Sequence, residues 1–176
     1  KIPDIYTHPA DLRDELSKDL GQFPLFHYWG PKANLISSEW IAQSTRLVFE
    51  KYHPTLTLVY LPHLDYNLQR LGPDHPEIAR DVAAIDHVCQ GVVQYFQERG
   101  VKVVVLSEYA MHPVKKSVSI NRVLRMEKWI SVREEMGREL LDAGASEAFA
   151  VADHQIAHVY VKQAKNIPVV KKLLEK

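Results

Sequence analysis

The sequence has little cysteine, no long apolar run and no excess of charge, and each absence excludes a class of protein. The single cysteine, Cys89, rules out an internal disulfide and a thiolate metal cluster. No stretch reaches the roughly 18 apolar residues that a membrane helix needs, and the amino end does not have the pattern of a signal peptide. The 22 basic and 22 acidic residues cancel, so no overall field attracts nucleic acid or an anionic membrane. We therefore expect a cytoplasmic protein without a nucleic-acid or membrane partner.

Two familiar catalytic patterns are missing as well. The sequence contains no glycine-rich phosphate loop and no Gly-x-Ser-x-Gly elbow. Cys89 falls inside a predicted amphipathic helix, which disfavours Cys-His catalysis and favours a packed hydrophobic role. Otherwise the composition is ordinary, with 46% hydrophobic and 25% charged residues in a chain of 176. This composition predicts one soluble globular domain over residues 1–176.

Two β-branched runs organise the predicted fold. Residues 55–61 form one run and residues 101–111 contain the other. Between them, a helix with a regular apolar stripe begins at Asp74 and continues to Gly100. A strand, a long helix and a second strand form a right-handed crossover, which makes the two strands parallel. The pattern predicts a largely parallel sheet.

The pattern changes after Pro113. Short strands are predicted at 129–133, 148–152 and 156–161, with a short helix at 121–126 before them. They suggest a small meander appended to the main sheet. Because two parallel strands make a thin sheet for this much helix, we expect the chain to be the central part of a larger α/β protein.

Two acidic residues follow the β-branched runs. If the runs are parallel strands, Asp65 and Glu108 lie at one edge of the sheet, where open α/β sheets bind their ligands. Carboxylates are hard oxygen ligands that suit a divalent metal acting as a Lewis acid. Acids at strand ends also cap helices or pair with arginine, and spacing alone leaves that alternative open.

Four neighbouring side chains complete the candidate site. His63 stands two positions before the first acid, so an extended backbone would point both side chains to the same face. Gln69 and Arg70 follow that acid, and Arg70 is either a phosphate clamp or a member of a surface ion pair. Tyr109, directly after the second acid, reaches the site if the strand has already ended.

Two further segments admit both a structural and a functional interpretation. His154 and His158 have the spacing of a helical metal pair, but the β-branched residues around them favour a turn and a packed strand. Residues 23–31 are aromatic and bounded by proline, which fits a packed connection or an aromatic wall beside a ligand.

Several motifs, taken in order, resemble those of a known enzyme family. They are Leu-Val-Tyr-Leu-Pro-His-Leu-Asp-Tyr at 58–66, Gly-Pro at 72–73, Ile-Asp at 85–86, Val-Val-Val-Leu-Ser-Glu-Tyr-Ala-Met at 103–111 and Ala-His-Val-Tyr-Val at 157–161. They resemble the type I phosphodiesterase/nucleotide pyrophosphatase group of the alkaline phosphatase superfamily, and the resemblance covers most of 23–161. It implies an alkaline phosphatase-like α/β/α sandwich and hydrolysis of phosphodiesters, nucleotide pyrophosphates or related phosphate and phosphonate esters.

The metal-binding motifs of that family are altered in this sequence. In the family, an Asp with a His four residues later binds one metal, and a Ser-Asp-His-Gly-Met stretch binds a second. Asp65 matches the first Asp, but Gln69 stands at the His position. Glu108, Tyr109 and Ala110 stand at the second Asp, His and Gly. This oxygen-rich set favours a harder metal or a weakened site over two tightly held zinc ions.

The combined prediction is a metal-dependent hydrolase that acts on a small-molecule phosphate ester. The cofactor would be a divalent ion such as zinc, manganese or magnesium. We expect Asp65 and Glu108 to bind the metal, and the substrate to be bound by His63, Gln69, Arg70 and Tyr109. The family's Thr or Ser nucleophile has no match on this chain, so we expect the isolated piece to be inactive even if its parent is active. The alternatives are a catalytically silent relative that binds a ligand or partner, and a plain structural domain.

Overall fold

The computed structural model describes residues 5–175. The chain divides into two compact units, Lys1–Pro113 and Val114–Lys176. The prediction of one domain over 1–176 stays a prediction. Within the described residues, no helix is both long enough and apolar enough to cross a bilayer.

The described part of the first unit is built from helices. Its α-helices are α1 (Leu12–Leu20), α2 (Leu35–Tyr52), α3 (His63–Leu71) and α4 (Pro76–Gln97), with a 3-10 turn at Leu25–His27. The predicted long helix is thus present as α4. Its N-cap is His75, whose Nδ1 accepts a hydrogen bond from the Glu77 N–H, so Asp74 is not the cap. Pro76 occupies the first turn, where its missing N–H costs nothing.

The apolar stripe of α4 packs against α2. Ala42, Val92 and Phe96 form the buried cluster, and Val101 and Val103 pack against it where the chain leaves α4. The Phe96 ring also meets an α2 phenylalanine edge to face, with centroids 4.9 Å apart. This core fixes α4 relative to α2.

The two β-branched runs of this unit are not strands in the structure. Residues 55–61 and 101–111 belong to no helix or strand, so the predicted parallel sheet is not observed among the described residues. Leu58, in the first run, is 87% exposed. A β-branched sequence forms a strand only where a neighbouring backbone satisfies its N–H and C=O groups. Among the described residues, no strand pairs with either run.

The second unit contains both observed sheets. They are antiparallel hairpins, β1 (Ser131–Glu135) with β2 (Arg138–Asp142) and β3 (Ala148–Asp153) with β4 (Ile156–Val161). The expected short strands are therefore present, and the chain combines helices and strands as an α/β composition requires. Met136 and Gly137, both at positive φ, form the two-residue turn between β1 and β2.

Two helices flank these hairpins and supply the core of the second unit. They are α5 (Ile120–Met126) and α6 (Ile167–Leu174), the latter preceded by a 3-10 turn at Ala164–Asn166. The buried cluster contains Leu124, Ala148, Ala150 and Val170. The side chain of Asn121 adds a polar contact, since it donates to the Ala150 carbonyl and accepts from the Ala150 N–H. The β3–β4 hairpin is held against α5 by apolar burial and by this amide.

Candidate functional site

The segment that carries the first predicted acid is a helix. α3 begins directly after Pro62 and ends at Gly72, whose φ of 84° favours glycine. Asp65 lies in its first turn, where a negative charge interacts favourably with the helix dipole. Because residues two apart on a helix are separated by roughly 200°, His63 and Asp65 lie on opposite faces. The prediction that they share a face, which assumed an extended backbone, is wrong.

Two tyrosines converge on Asp65. The Tyr109 hydroxyl donates to Oδ1 at 2.5 Å, and the Tyr60 hydroxyl lies 3.4 Å from Oδ2. The hydrogen bond to Asp65, with burial, raises the pKa of the Tyr109 phenol far above its usual value. Burial, and then the charge of Asp65, also raises the pKa of Tyr60. Both phenols therefore stay protonated donors, with the carboxylate as their common acceptor.

The second predicted acid belongs to the same cluster. The charge of Glu108 contributes to the raised pKa of both Tyr60 and Tyr109. Its neighbour Ser107 donates a hydrogen bond to the Tyr109 carbonyl at 2.6 Å, which fixes the local turn. The structure thus brings together residues that are far apart in the chain.

Gln69 lies on the Asp65 side of α3. It is exposed and follows Asp65 by four residues, so it lies one turn further along the same face. The Gln69 amide therefore lies on the same side of α3 as the Asp65 carboxylate. Gln69 stands where the family that the motifs resemble has a histidine.

The opposite face of α3 contacts α4. His63 is buried, and neither of its ring nitrogens has a hydrogen-bond partner among residues 5–175. Its Nε2 lies 3.8 Å from Oδ1 of Asp81. The Asn67 amide donates to Oδ2 of the same carboxylate. The structure therefore places His63 in a contact between helices and away from the two phenols.

Arg70 extends this second face of α3. Its guanidinium donates to the Asn67 side-chain oxygen and, at 3.4 Å, to the Pro31 carbonyl. Arg70 therefore joins α3 to the loop that precedes α2. The structure does not bring it together with Asp65.

The aromatic segment 23–31 is mostly packing. Phe23 meets Tyr28 and Trp40 edge to face, with centroid distances of 5.5 and 5.1 Å. The Tyr28 phenol also interacts electrostatically with Tyr60, so the segment borders the tyrosine cluster. The packing interpretation is confirmed for Phe23, and the aromatic wall beside a ligand stays a prediction.

The histidines of the second unit do not form a helical pair. His154 lies in the β3–β4 turn at φ 52°, with Nε2 3.6 Å from Oδ1 of Asp153. His158 lies in β4, opposite Val151. The predicted turn and strand are confirmed, but His158 is exposed and is therefore not a packed residue of β4.

Cys89 lies in α4 and is partly buried. Burial, with a smaller contribution from Asp86, raises the pKa of its thiol. A raised pKa disfavours the nucleophilic thiolate, in agreement with the packing role predicted for this residue.

The donor set at Asp65 fits part of a hard cation site. The two carboxylates, the Gln69 amide and the phenols are all oxygen donors, which suit magnesium or manganese better than zinc. Among residues 5–175, however, no group of three or more His, Cys, Asp or Glu side chains is arranged to hold a metal. If Asp65 and Glu108 hold such an ion, its remaining ligand positions would fall to water or substrate.

Two residues of this region were not identified from the sequence. Tyr60 follows no regular spacing relative to Asp65, so no local pattern reveals it. Asp81 does carry a signal: it lies between Ile78 and Ile85 on the apolar stripe of α4, where a charge indicates a buried polar contact.

Comparison with known proteins agrees with the motif resemblance. The family model described as type I phosphodiesterase / nucleotide pyrophosphatase matches residues 1–176. No curated protein and no solved structure matches the chain with significance. The match spans every residue of the chain. The chain therefore belongs to the type I phosphodiesterase/nucleotide pyrophosphatase family.

Proposed function

We propose that this protein hydrolyses phosphodiesters, nucleotide pyrophosphates or related phosphate and phosphonate esters of small molecules. The observation that carries the proposal is the hydrogen bond between Asp65 and Tyr109, which are 44 residues apart. They stand at ligand positions of two different family motifs, so their contact supports one site built from both motifs.

Asp65 and Glu108 are the proposed metal ligands. When bound, a divalent cation would act as a Lewis acid on a phosphoryl oxygen. Gln69 would add a neutral oxygen donor on the Asp65 side of α3. The change from histidine to amide and phenol at the family's ligand positions favours magnesium or manganese over zinc.

The two tyrosines are proposed to bind the substrate. Their raised pKa values keep both phenols protonated across the physiological range. Each phenol has one proton, so donation to an anionic phosphoryl oxygen would replace its hydrogen bond to Asp65 and stabilise charge that develops on the substrate. Tyr109 keeps its predicted role, and Tyr60 joins it.

His63 and Arg70 are assigned a supporting role. Both side chains are engaged on the α4 side of α3, where they hold the helix in place. Since a guanidinium has five N–H donors, a direct contact with substrate does not require Arg70 to leave the Pro31 carbonyl.

The proposed fold of the whole protein is an alkaline phosphatase-like α/β/α sandwich. The runs 55–61 and 101–111 would be two of its parallel strands once neighbouring strands satisfy their backbones. Their β-branched composition and the exposure of their apolar side chains support this proposal.

A catalytically silent relative is the second candidate. Two observations favour it. Both oxygens of Asp65 face phenols. Gln69 and Tyr109 also stand at positions where the family has metal-binding histidines. Such a protein would keep the cluster as a binding site for an anionic ligand or partner.

Metal analysis and an ester assay separate the two candidates. The full-length protein would be assayed for hydrolysis of bis-nitrophenyl phosphate with and without chelator, beside Asp65→Ala. Asp74→Ala is the matched control, since Asp74 is an exposed acid before α4. The hydrolase proposal expects chelator-sensitive turnover that falls by at least about 100-fold in Asp65→Ala only. No turnover across several divalent ions and ester classes would overturn it in favour of the silent relative.

A further inference from the structure

Asp81 is a charged residue in an apolar interface. It belongs to the stripe by which α4 packs on its neighbours, and its side chain is only 17% exposed. A carboxylate in such a position costs free energy unless polar groups face it. The groups that face the Asp81 carboxylate therefore indicate its structural role.

The carboxylate of Asp81 contacts α3 at two successive turns. Its Oδ1 faces Nε2 of His63 at 3.8 Å, and its Oδ2 accepts a hydrogen bond from Asn67. These two residues are four positions apart, so they lie on one face of the helix. Arg70, on the same face, donates a hydrogen bond to the side-chain oxygen of Asn67. One side chain of α4 thus fixes both the rotation and the position of α3.

α3 depends on such contacts. It has nine residues and no side-chain hydrogen bond at its N-cap. Isolated helices shorter than about 12 residues are marginal in water, so tertiary contacts must hold this one. The opposite face carries Asp65, and a rotation of α3 would move the carboxylate away from the Tyr109 hydroxyl.

We propose that Asp81 is the positioning residue of the candidate site: through its hydrogen bond with Asn67 and its 3.8 Å contact with His63 it sets the orientation of α3 and so turns the face with Asp65 toward the two tyrosines. The catalytic part of this inference rests on the proposed function, but the structural part does not. Asp81 itself touches neither the tyrosines nor, in this proposal, the substrate.

The first test reads the site without any reaction. The 13Cζ chemical shift of Tyr109 at neutral pH reports the hydrogen bond of its phenol, and the assignment comes from Tyr109→Phe. Asp81→Ala is expected to shift this signal toward that of an exposed tyrosine. Asp81→Asn keeps an oxygen acceptor for Asn67 and is expected to leave the signal near its original position. An unchanged signal in folded Asp81→Ala would overturn the proposal.

A matched variant separates positioning from general loss of stability. Val92→Ala removes core volume from the same helix without touching α3, so it should lower the unfolding temperature and leave the Tyr109 signal in place. Asn67→Ala, which removes the Oδ2 contact from the other side, should reproduce the Asp81→Ala shift. It also keeps the proposal testable if Asp81→Ala fails to fold. A Tyr109 shift of equal size in Val92→Ala would show that Asp81 acts only through stability.

Kinetics give the second readout if the full-length protein is a hydrolase. Misplacing a reacting group by about 1 Å costs on the order of 100-fold in rate, so kcat should fall by that factor in Asp81→Ala. KM should change less, and Asp81→Asn should recover most of the rate. Absence of activity in the unchanged protein would refute the proposed function, while the Tyr109 signal would still decide the role of Asp81. Equal rates for Asp81→Ala and the unchanged protein would overturn the positioning role in catalysis.

Discussion

Sequence with high β propensity forms strands in the second unit but not in the first. In the second unit, β3 and β4 are joined by a two-residue connection, and each strand finds its hydrogen-bond partner within a few residues. In the first unit, the runs 55–61 and 101–111 are at least as rich in β-branched and aliphatic residues, yet neither pairs. The two units differ in how far apart in the chain the pairing partners lie. A hairpin pairs strands across a short loop, whereas a parallel strand needs a partner from a distant segment. A β-forming sequence pattern therefore yields a strand where its hydrogen-bonding partner is close in the chain.

The largest expected effect tests whether stability follows burial and not β propensity. Leu124 in the second unit is 0% exposed, and Leu58 in the first is 87% exposed. Leu124→Ala should lower the free energy of unfolding by about 2–5 kcal/mol, since it leaves a cavity. Leu58→Ala should change it by less than about 0.5 kcal/mol. Denaturant unfolding followed by circular dichroism measures both. Equal losses in the two variants would show that the 55–61 run is buried in solution.

An intermediate effect is expected at the turn between β1 and β2. Gly137 has a φ of 71°, where a Cβ meets its own carbonyl, so Gly137→Ala should destabilise the second unit by about 1–2 kcal/mol. Gly144→Ala is the control from the same unit, because Gly144 is not at positive φ and a Cβ there makes only an ordinary contact. Hydrogen exchange of the β1–β2 amides measures the loss. The turn geometry would be contradicted if the two variants exchanged alike.

The smallest expected effect concerns pH and the first unit. Hydrogen bonds from Tyr95 and then Arg99 lower the pKa of Glu50. A lowered pKa in the folded state gives stability that is present above the ordinary pKa of a glutamate and is lost as pH falls through the lowered value. Thermal unfolding of the unchanged protein and Glu50→Gln should therefore differ slightly at pH 6, and the difference should shrink as the pH falls below the ordinary glutamate range. Because Glu50 is exposed, the difference should also shrink in high salt. A difference that grew as pH fell would contradict this contribution.

Much of the fold follows from patterns that the sequence contains. The α4 stripe and the short strands of the second unit appear where periodicity predicts them, because each depends on contacts between near neighbours. The segment after the 55–61 run is predicted to be extended around His63 and Asp65, and in the structure it is α3. Its position after a proline and its glycine stop describe a helix equally well, so the error lay in the preceding strand.

The candidate site was predictable only in part. The predicted strand ends and the motif resemblance both indicate Asp65, Glu108 and Tyr109, and in the structure Tyr109 donates a hydrogen bond to Asp65. The sequence does not single out Tyr60 as a site residue. The extended backbone predicted around His63 and Asp65 puts His63 on the wrong side, because the segment is helical. The charge of Asp81 within an apolar stripe was visible in the sequence, but its partners on α3 were not.

The sequence by itself determined the family, the helices with regular apolar stripes and the β3–β4 hairpin. Each of these depends on residue identity or on hydrogen bonds between residues close in the chain. Tertiary structure alone decided that α3 turns Asp65 toward Tyr60 and Tyr109 and turns His63 toward Asp81. It also decided that the two β-branched runs form no strand among the described residues. Both outcomes depend on which distant groups come within hydrogen-bonding distance, and a linear pattern does not encode that distance.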